Sequence, residues 1–492
     1  MNRIRSRSAI LAALTLALAG CGSLVPPAGS PQGSLRDTFR PDTVTAEATL
    51  TNAAEASEWD GFFVDAGLRR VVALALAGNR SLRASMAAVD RARAQYGISE
   101  AARWPELEGT LSGTRQRNAG GAAGATSGSG ATGTTSGNAS TSYSVSLGLA
   151  AWEIDLFNRL ASLEGAALSR FLAQQQTQQN ARLTLVTQVA EAWLALAAEA
   201  QRVRLADELR ASQQRTLNLI ERQYQLGAAS GLQLARAQTA FEAARAESAR
   251  SAAAANQARL ALELLAGQPL PDSLLPTAQV TEATALPDLP GGLPAAVLLQ
   301  RPDLLAAEQA LQAAAFDVGA ARAARFPRLT LTANAGRRSP ELGDLFSSGS
   351  SFWSVIPSLE LPLLDAGARR AQVDVSEATR REAMANYEAA LQSAFREVAD
   401  ALAVRDSLTE RLAAQAAQVN AAQRTLDLAE QSYRLGASSQ LELLDAQREF
   451  AGARQGLVSL RQIEQSNRVV LLRTLGGRWS SAVPTAPLGP RR

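Results

Sequence analysis

Histidine and lysine are both absent from the 492 residues, cysteine occurs once, and all 49 basic side chains are arginine. Without histidine there are no imidazole metal sites and no Ser–His or Cys–His dyads. Without lysine there is no Schiff-base nucleophile and no P-loop lysine. A single cysteine forbids an intrachain disulfide. Beyond the N-terminal leader no stretch offers 18 uninterrupted apolar residues, so a membrane-spanning helix is not expected. Charge of one sign is also missing. The net +3 comes from Arg3, Arg5 and Arg7, and without them 46 basic residues face 46 acidic ones. That balance removes the support for a nucleic-acid-binding surface, and no nucleic-acid partner is expected. Catalysis is left with carboxylates and hydroxyls, so an enzyme is not expected, and neither is a cofactor or metal.

What is present begins with an address. A basic stretch, Arg3 to Arg7, precedes the apolar run AILAALTLALA from Ala9 to Ala19, which is too short to span a bilayer. Small residues then lead to the lone cysteine in Leu18-Ala19-Gly20-Cys21. This resembles the lipobox of bacterial lipoproteins, which makes Cys21 the expected lipidation site and new N-terminus, with Gly22 after it favouring the outer membrane. An ordinary secretory signal with an incidental cysteine is the alternative.

The chain then says one thing twice. YQLGAAS at Tyr224 returns as YRLGASS at Tyr433. Tyr224, Gly227, Leu232, Gln238, Phe241, Arg245 and Gly267 match Tyr433, Gly436, Leu441, Gln447, Phe450, Arg454 and Gly476, always 209 residues apart. AARWPEL (Ala101) matches AARFPRL (Ala323), and WEIDLFN (Trp152) matches LELPLLD (Leu359). The first copy is longer through a Gly/Ala/Ser/Thr loop, Asn118 to Ser140. Each copy therefore reads as helix, two strands around a loop, long helix, turn, long helix. The expected divisions are a signal peptide (1–20), a linker (21–60), repeat 1 (61–266), a Pro-rich connector (267–300), repeat 2 (301–478) and a disordered tail (479–492).

Between Ala394 and Tyr433, twelve positions step by alternating four and three residues, and only Arg405 and Gln415 among them are neither apolar nor aromatic. The equivalent series from Leu185 to Tyr224 behaves alike. A 3.5-residue period held this long predicts left-handed coiled-coil packing. The run Leu163–Gln225 would be about 95 Å long at about 1.5 Å per residue. A generic helical bundle or rod is the bland alternative. The loop-flanking segments follow a period of two: Tyr143, Val145, Leu147, Leu149 and Ala151; Leu329, Leu331, Ala333 and Ala335; Trp353, Val355, Leu359 and Leu361; and, more weakly, Leu107 to Gly113. Their length suits transmembrane strands, although soluble hairpins have the same pattern. Four strands cannot close a barrel, so membrane strands would need several chains, and a trimer would supply twelve.

Together these features resemble the TolC-like outer-membrane efflux channels, most closely their lipoprotein branch of OprM- and NodT-like outer-membrane factors. The residues that carry the resemblance are Leu18 to Cys21, LAAWEIDLFNRL (Leu149), LLQRPDLLAAEQAL with GAARAARFPRLTLTA (Leu298 to Ala333), both Y-x-LG-A turns, and LELLDAQREF (Leu441). The resemblance implies an α+β membrane protein with two internal repeats. Three copies would share a 12-stranded transmembrane β-barrel, four strands per chain, continued by a periplasmic α-helical coiled-coil barrel. It implies an exit duct of a tripartite pump, passing drugs or other small toxic compounds from periplasm to exterior. A periplasmic adaptor and an inner-membrane transporter, of the RND type, are the implied partners. The turns at Tyr224, Gly227, Tyr433 and Gly436 become the periplasmic tips, and Leu441, Asp445 and Arg448 become a gate. These three share a helix face, and the alternative is a solvated Asp–Arg pair. Gln233 and Ser438 stand where the TolC pattern has Asp and Arg, so that charge lock is missing. Glu442 is a further acid at the tip that could favour cations. Rival readings are a protein-secretion duct, a non-pore periplasmic lipoprotein, and a carboxylate hydrolase using Glu153 and Asp155, for which no pKa-tuning neighbours are expected.

Overall fold

The computed structural model describes residues 24–27, 29, 62–117, 139–276, 283–284 and 295–477. The expected signal peptide, Cys21, nearly all of the linker, the body of the Gly/Ser-rich loop, part of the connector and the tail lie outside the described residues.

The element order is α1 (Ala66–Gly78), α2 (Arg80–Ala101), β1 (Leu107–Arg117), β2 (Ala139–Ile154), α3 (Arg159–Gln225), α4 (Gly231–Ala266), α5 (Pro302–Ala323), β3 (Arg328–Ser339), β4 (Ser351–Glu360), α6 (Ala368–Arg434) and α7 (Gln440–Thr474). The second copy follows the expected plan. The first opens on two helices, because Asn79 interrupts the run: its Oδ1 accepts from Leu82 N and its Nδ2 donates to the Leu265 carbonyl, each at 2.9 Å. A side chain that bonds the backbone locally in this way competes with a continuous helix.

The described residues fall into two compact units that draw on both repeats: one holds 24–27, 29, 91–117, 139–172 and 309–385, the other 62–90, 173–276, 283–284, 295–308 and 386–477. In the first, the strands form one antiparallel sheet in the order β1-β2-β3-β4. In the second, the core gathers Leu68 and Val71 of α1, Val186, Val189 and Trp193 of α3, Leu262 of α4 and Val469 of α7. A neighbouring cluster joins Leu304 to Tyr387, Leu391 and Val398 of α6 and Leu471 of α7.

The helical seam is real. All twelve α6 seam positions from Ala394 to Tyr433 are buried or half-buried, and in α3 only Arg210 and Tyr224 are exposed. One 18-residue window of α3 is apolar enough, by length and composition, to cross a membrane, which corrects the expectation that no helix qualifies. Of that window 61% is buried inside the chain, as in a packed core.

Candidate functional site

The repeated phrase is a repeated turn. Gly227 and Gly436 adopt φ of 76° and 73°, the left-handed region that costs glycine nothing. Around each, the same hydrogen bonds close the preceding helix: Gly227 N to Tyr224 O at 3.0 Å and Ala228 N to Gln223 O at 2.8 Å, then Gly436 N to Tyr433 O and Ala437 N to Ser432 O at the same lengths. The following helix starts with a capping box each time, Ser230 with Gln233 before α4 and Ser439 with Glu442 before α7. This accounts for two residues left over by the sequence. Gln233 turns its Oε1 back to Ser230 N at 2.7 Å, and Glu442 turns its carboxylate back to Ser439 N at 2.8 Å.

Equal turns sit in unequal surroundings. Tyr433 packs on Leu217, Ile220 and Ala237, the core of the first hairpin, and burial raises its phenol above the ordinary tyrosine value. Its counterpart Tyr224 is 48% exposed. Gln440, buried at the start of α7, donates through Nε2 to the Gln233 carbonyl at 3.2 Å and so links the two tips within one chain. Farther along, Gln213 of α3 donates to Gln447 of α7 at 2.8 Å. Leu441, Asp445 and Arg448 lie together on the exposed face of α7, while Leu443, Leu444, Ala446 and Gln447 face inward. Asp445 and Arg448 are 3.2 Å apart.

The sheet has two chemically distinct faces. Directly paired residues share a face. One face collects Leu107, Leu149, Ala333 and Val355 in one row and Leu147, Ala335 and Trp353 in the next. The other carries Thr110, Ser112, Ser144, Ser146, Gly148, Asn334 and Ser354. The apolar face is bare: Leu107, Leu111, Leu147, Trp353 and Leu359 are each more than half exposed. Simple alternation assigns Ala151 to it, and this is corrected. A bulge between Leu149 and Trp152, with Ala151 at φ 36°, inserts one residue and places Trp152 and Ile154 there instead.

At the helix end of the sheet, Glu153 bonds Arg159 through two contacts of 2.9 and 2.7 Å and pairs with Arg328 at 2.7 Å. This corrects the expectation that the acid has no charged neighbours. A carboxylate held by two guanidinium groups is a junction tie and is poorly placed to move protons. Asp155 Oδ2 accepts from Ala161 N at 2.8 Å and caps the start of α3. Among the described residues no group of three or more His, Cys, Asp or Glu could hold a metal ion.

Over residues 71–268 and 293–477 the chain matches the family described as outer membrane efflux protein. It belongs to that family. Among proteins similar to it, the probable efflux pump outer membrane protein TtgC of Pseudomonas putida is 36% identical over 475 residues, covering 95% of each chain. The outer membrane protein OprJ of Pseudomonas aeruginosa is 37% identical over 473 residues, covering 96% of this chain and 95% of its own. The open state of the Neisseria gonorrhoeae MtrE outer membrane channel superposes with a TM-score of 0.80 at 32% identity, covering 94% of this chain and all of that one. As an outer membrane efflux protein, the chain resides in the outer membrane and has the fold of its channels.

The outer membrane efflux protein thus brings Leu441, Asp445 and Arg448 to one helix face and sets the Tyr224 and Tyr433 turns in different environments. Sequence reasoning missed Gln440 and met Gln447 only as the echo of Gln238, since nothing in a polar helix marks which glutamine is buried. The two capping boxes could have been found from Ser followed three residues later by Gln or Glu.

Proposed function

We propose that three copies of this chain close one twelve-stranded barrel and act as the exit duct of a tripartite efflux pump. The observation that carries this is the open four-stranded sheet, with its exposed apolar face and with β1 and β4 at its two edges. An open edge in lipid leaves backbone donors and acceptors without partners, at several kcal/mol per group. Pairing β4 of one copy with β1 of the next removes every edge at once. The polar face then lines the lumen. Transport through such a duct is passive, and small toxic compounds are its cargo; energy comes from an inner-membrane transporter, reached through a periplasmic adaptor at the helix tips. Helical grooves at such tips suit recognition by an adaptor's own helices. In this reading Leu441, Asp445 and Arg448 repeat around the axis as an apolar ring above a charged one, able to narrow or dewet the pore. With Gln233 committed to its cap, closure relies on Leu441 packing and on the tie between tips.

Lipid attachment at Cys21 belongs to the same proposal. Just downstream, the Leu24 and Pro27 carbonyls accept from Arg322 and Arg380 at 3.4 and 2.8 Å. Val25 lies so close to Gly319 that a Cβ there would sit 2.6 Å from its Cγ2. These contacts hold Leu24, Val25 and Pro27 near the end of α5, a few residues before β3 enters the sheet, which supports an anchor on the membrane side of the chain.

The test is to purify the mature protein in mild detergent. A heat-modifiable trimer that conducts ions in planar bilayers is expected. A monomer without conductance overturns the reading.

A further inference from the structure

The apolar face ends in arginine at the loop end of the sheet. On β3 the outward series runs Leu329, Leu331, Ala333, Ala335 and then Arg337, whose row also holds Val145 and Ser351. On β1 the outward series runs Leu107, Gly109, Leu111, Gly113 and then Arg115, paired with Thr141. Trp353 lies one row below Arg337, and Tyr143 one row above it on β2. Amphipathic aromatic rings at such levels mark the membrane–water boundary. Arg337 is also set in place: its guanidinium donates to the Phe346 and Ser347 carbonyls at 2.7 and 3.3 Å and lies 5.9 Å from the Phe346 ring. Both bonds use one nitrogen, which leaves Nε and the second amino nitrogen as donors. Leu342 and Phe346 of the same loop are exposed at 62% and 72%. Exposed apolar groups beside a preoriented guanidinium fit a lipid at the level where acyl chains meet headgroups.

We propose that Arg115 and Arg337 form a binding fringe for the phosphate groups of the outer-leaflet lipid. The inference rests on the reading of this sheet as a membrane wall. Guanidinium groups match phosphate oxygens in shape and charge, and arginine at the edge of an apolar band is stable only when its head reaches polar partners. The neighbouring Arg338 serves as an internal contrast. It lies on the opposite, polar face, 5.1 Å from the Phe352 ring, and has no access to lipid.

The test uses the full mature protein in nanodiscs of phosphatidylcholine doped with lipid A, either phosphorylated or dephosphorylated, with co-retained lipid counted by mass spectrometry. The phosphorylated form is expected to be enriched about tenfold, the scale of one charge-assisted hydrogen bond. The R115A/R337A double variant should lose most of that enrichment and R338A should keep it. R115A alone, at an exposed position away from the β3–β4 loop, should lose part of it even if R337A disturbs that loop. Equal retention of the two lipids, or enrichment that survives R115A/R337A, overturns the proposal. Conductance separates the two ideas: a conducting protein without enrichment defeats only the lipid fringe, whereas a non-conducting wild type defeats the channel reading beneath it.

Discussion

Gln440 hands a hydrogen bond from its buried amide to the backbone carbonyl of Gln233, 207 positions earlier and at 3.2 Å. The second copy of the turn thereby holds the first. Removing the donor in Gln440→Ala should cost about 1 kcal/mol, the usual net worth of one such bond. Hydrogen exchange should quicken in residues 226–234 and 435–442. Unchanged protection there would show that the tips are held by other contacts.

Leu441→Ala shortens the apolar side chain expected to close the pore. Passive ion conductance of the reconstituted protein should rise, with thermal stability almost unchanged, because Leu441 is 44% exposed in the chain. A wild-type conductance record would remove Leu441 from the gate.

Glu442 separates a capping role from an electrostatic one. Its carboxylate accepts from Ser439 N, the job Gln233 performs at the first tip. Glu442→Gln should therefore leave both stability and cation selectivity near wild type. Ser439→Ala should cost about 1 kcal/mol through the lost cap. A fall in cation preference in Glu442→Gln would place this acid on the conduction path.

Arg301 is buried and bonds Asp303 at 3.0 and 2.7 Å, Glu397 at 2.9 Å and the Thr474 carbonyl at 3.1 Å. Burial alone would push the Asp303 carboxyl up, but the bonds and charge of Arg301 outweigh it and hold the group below the ordinary aspartate value. A depressed carboxylate contributes stability that is full above its unfolded value of about 3.9 and is lost as pH falls through its lower native one. The melting temperature of Asp303→Asn should therefore lie below wild type at pH 7, and the gap should close below about pH 4. A gap that persists unchanged into acid would assign the loss to packing.

Much of this fold could be read in the chain because it is built from periodicity. The 3.5-residue seam survives as burial at nearly every position, and the alternating segments became strands in a single sheet. The 209-residue echo became two turns with matching hydrogen bonds. What escaped depends on contacts that no local period encodes. The bulge at Ala151 reversed the facing of Trp152 because one inserted residue changes the phase of everything after it. Glu153 looked isolated until Arg159 and Arg328 arrived from two other elements. Tyr224 and Tyr433 are equal by position, and only the packing of α3 and α4 beneath Tyr433 distinguishes them. Asn79, one polar residue in a helical run, gave little warning that it would split the helix.

The N-terminal strap has a mechanical consequence. Held by Arg322 of α5 and by Arg380 of α6, it splints the roots of two helices into a fixed bearing. Lifting the strap away has to break both guanidinium bonds and unseat Val25 from Gly319 together.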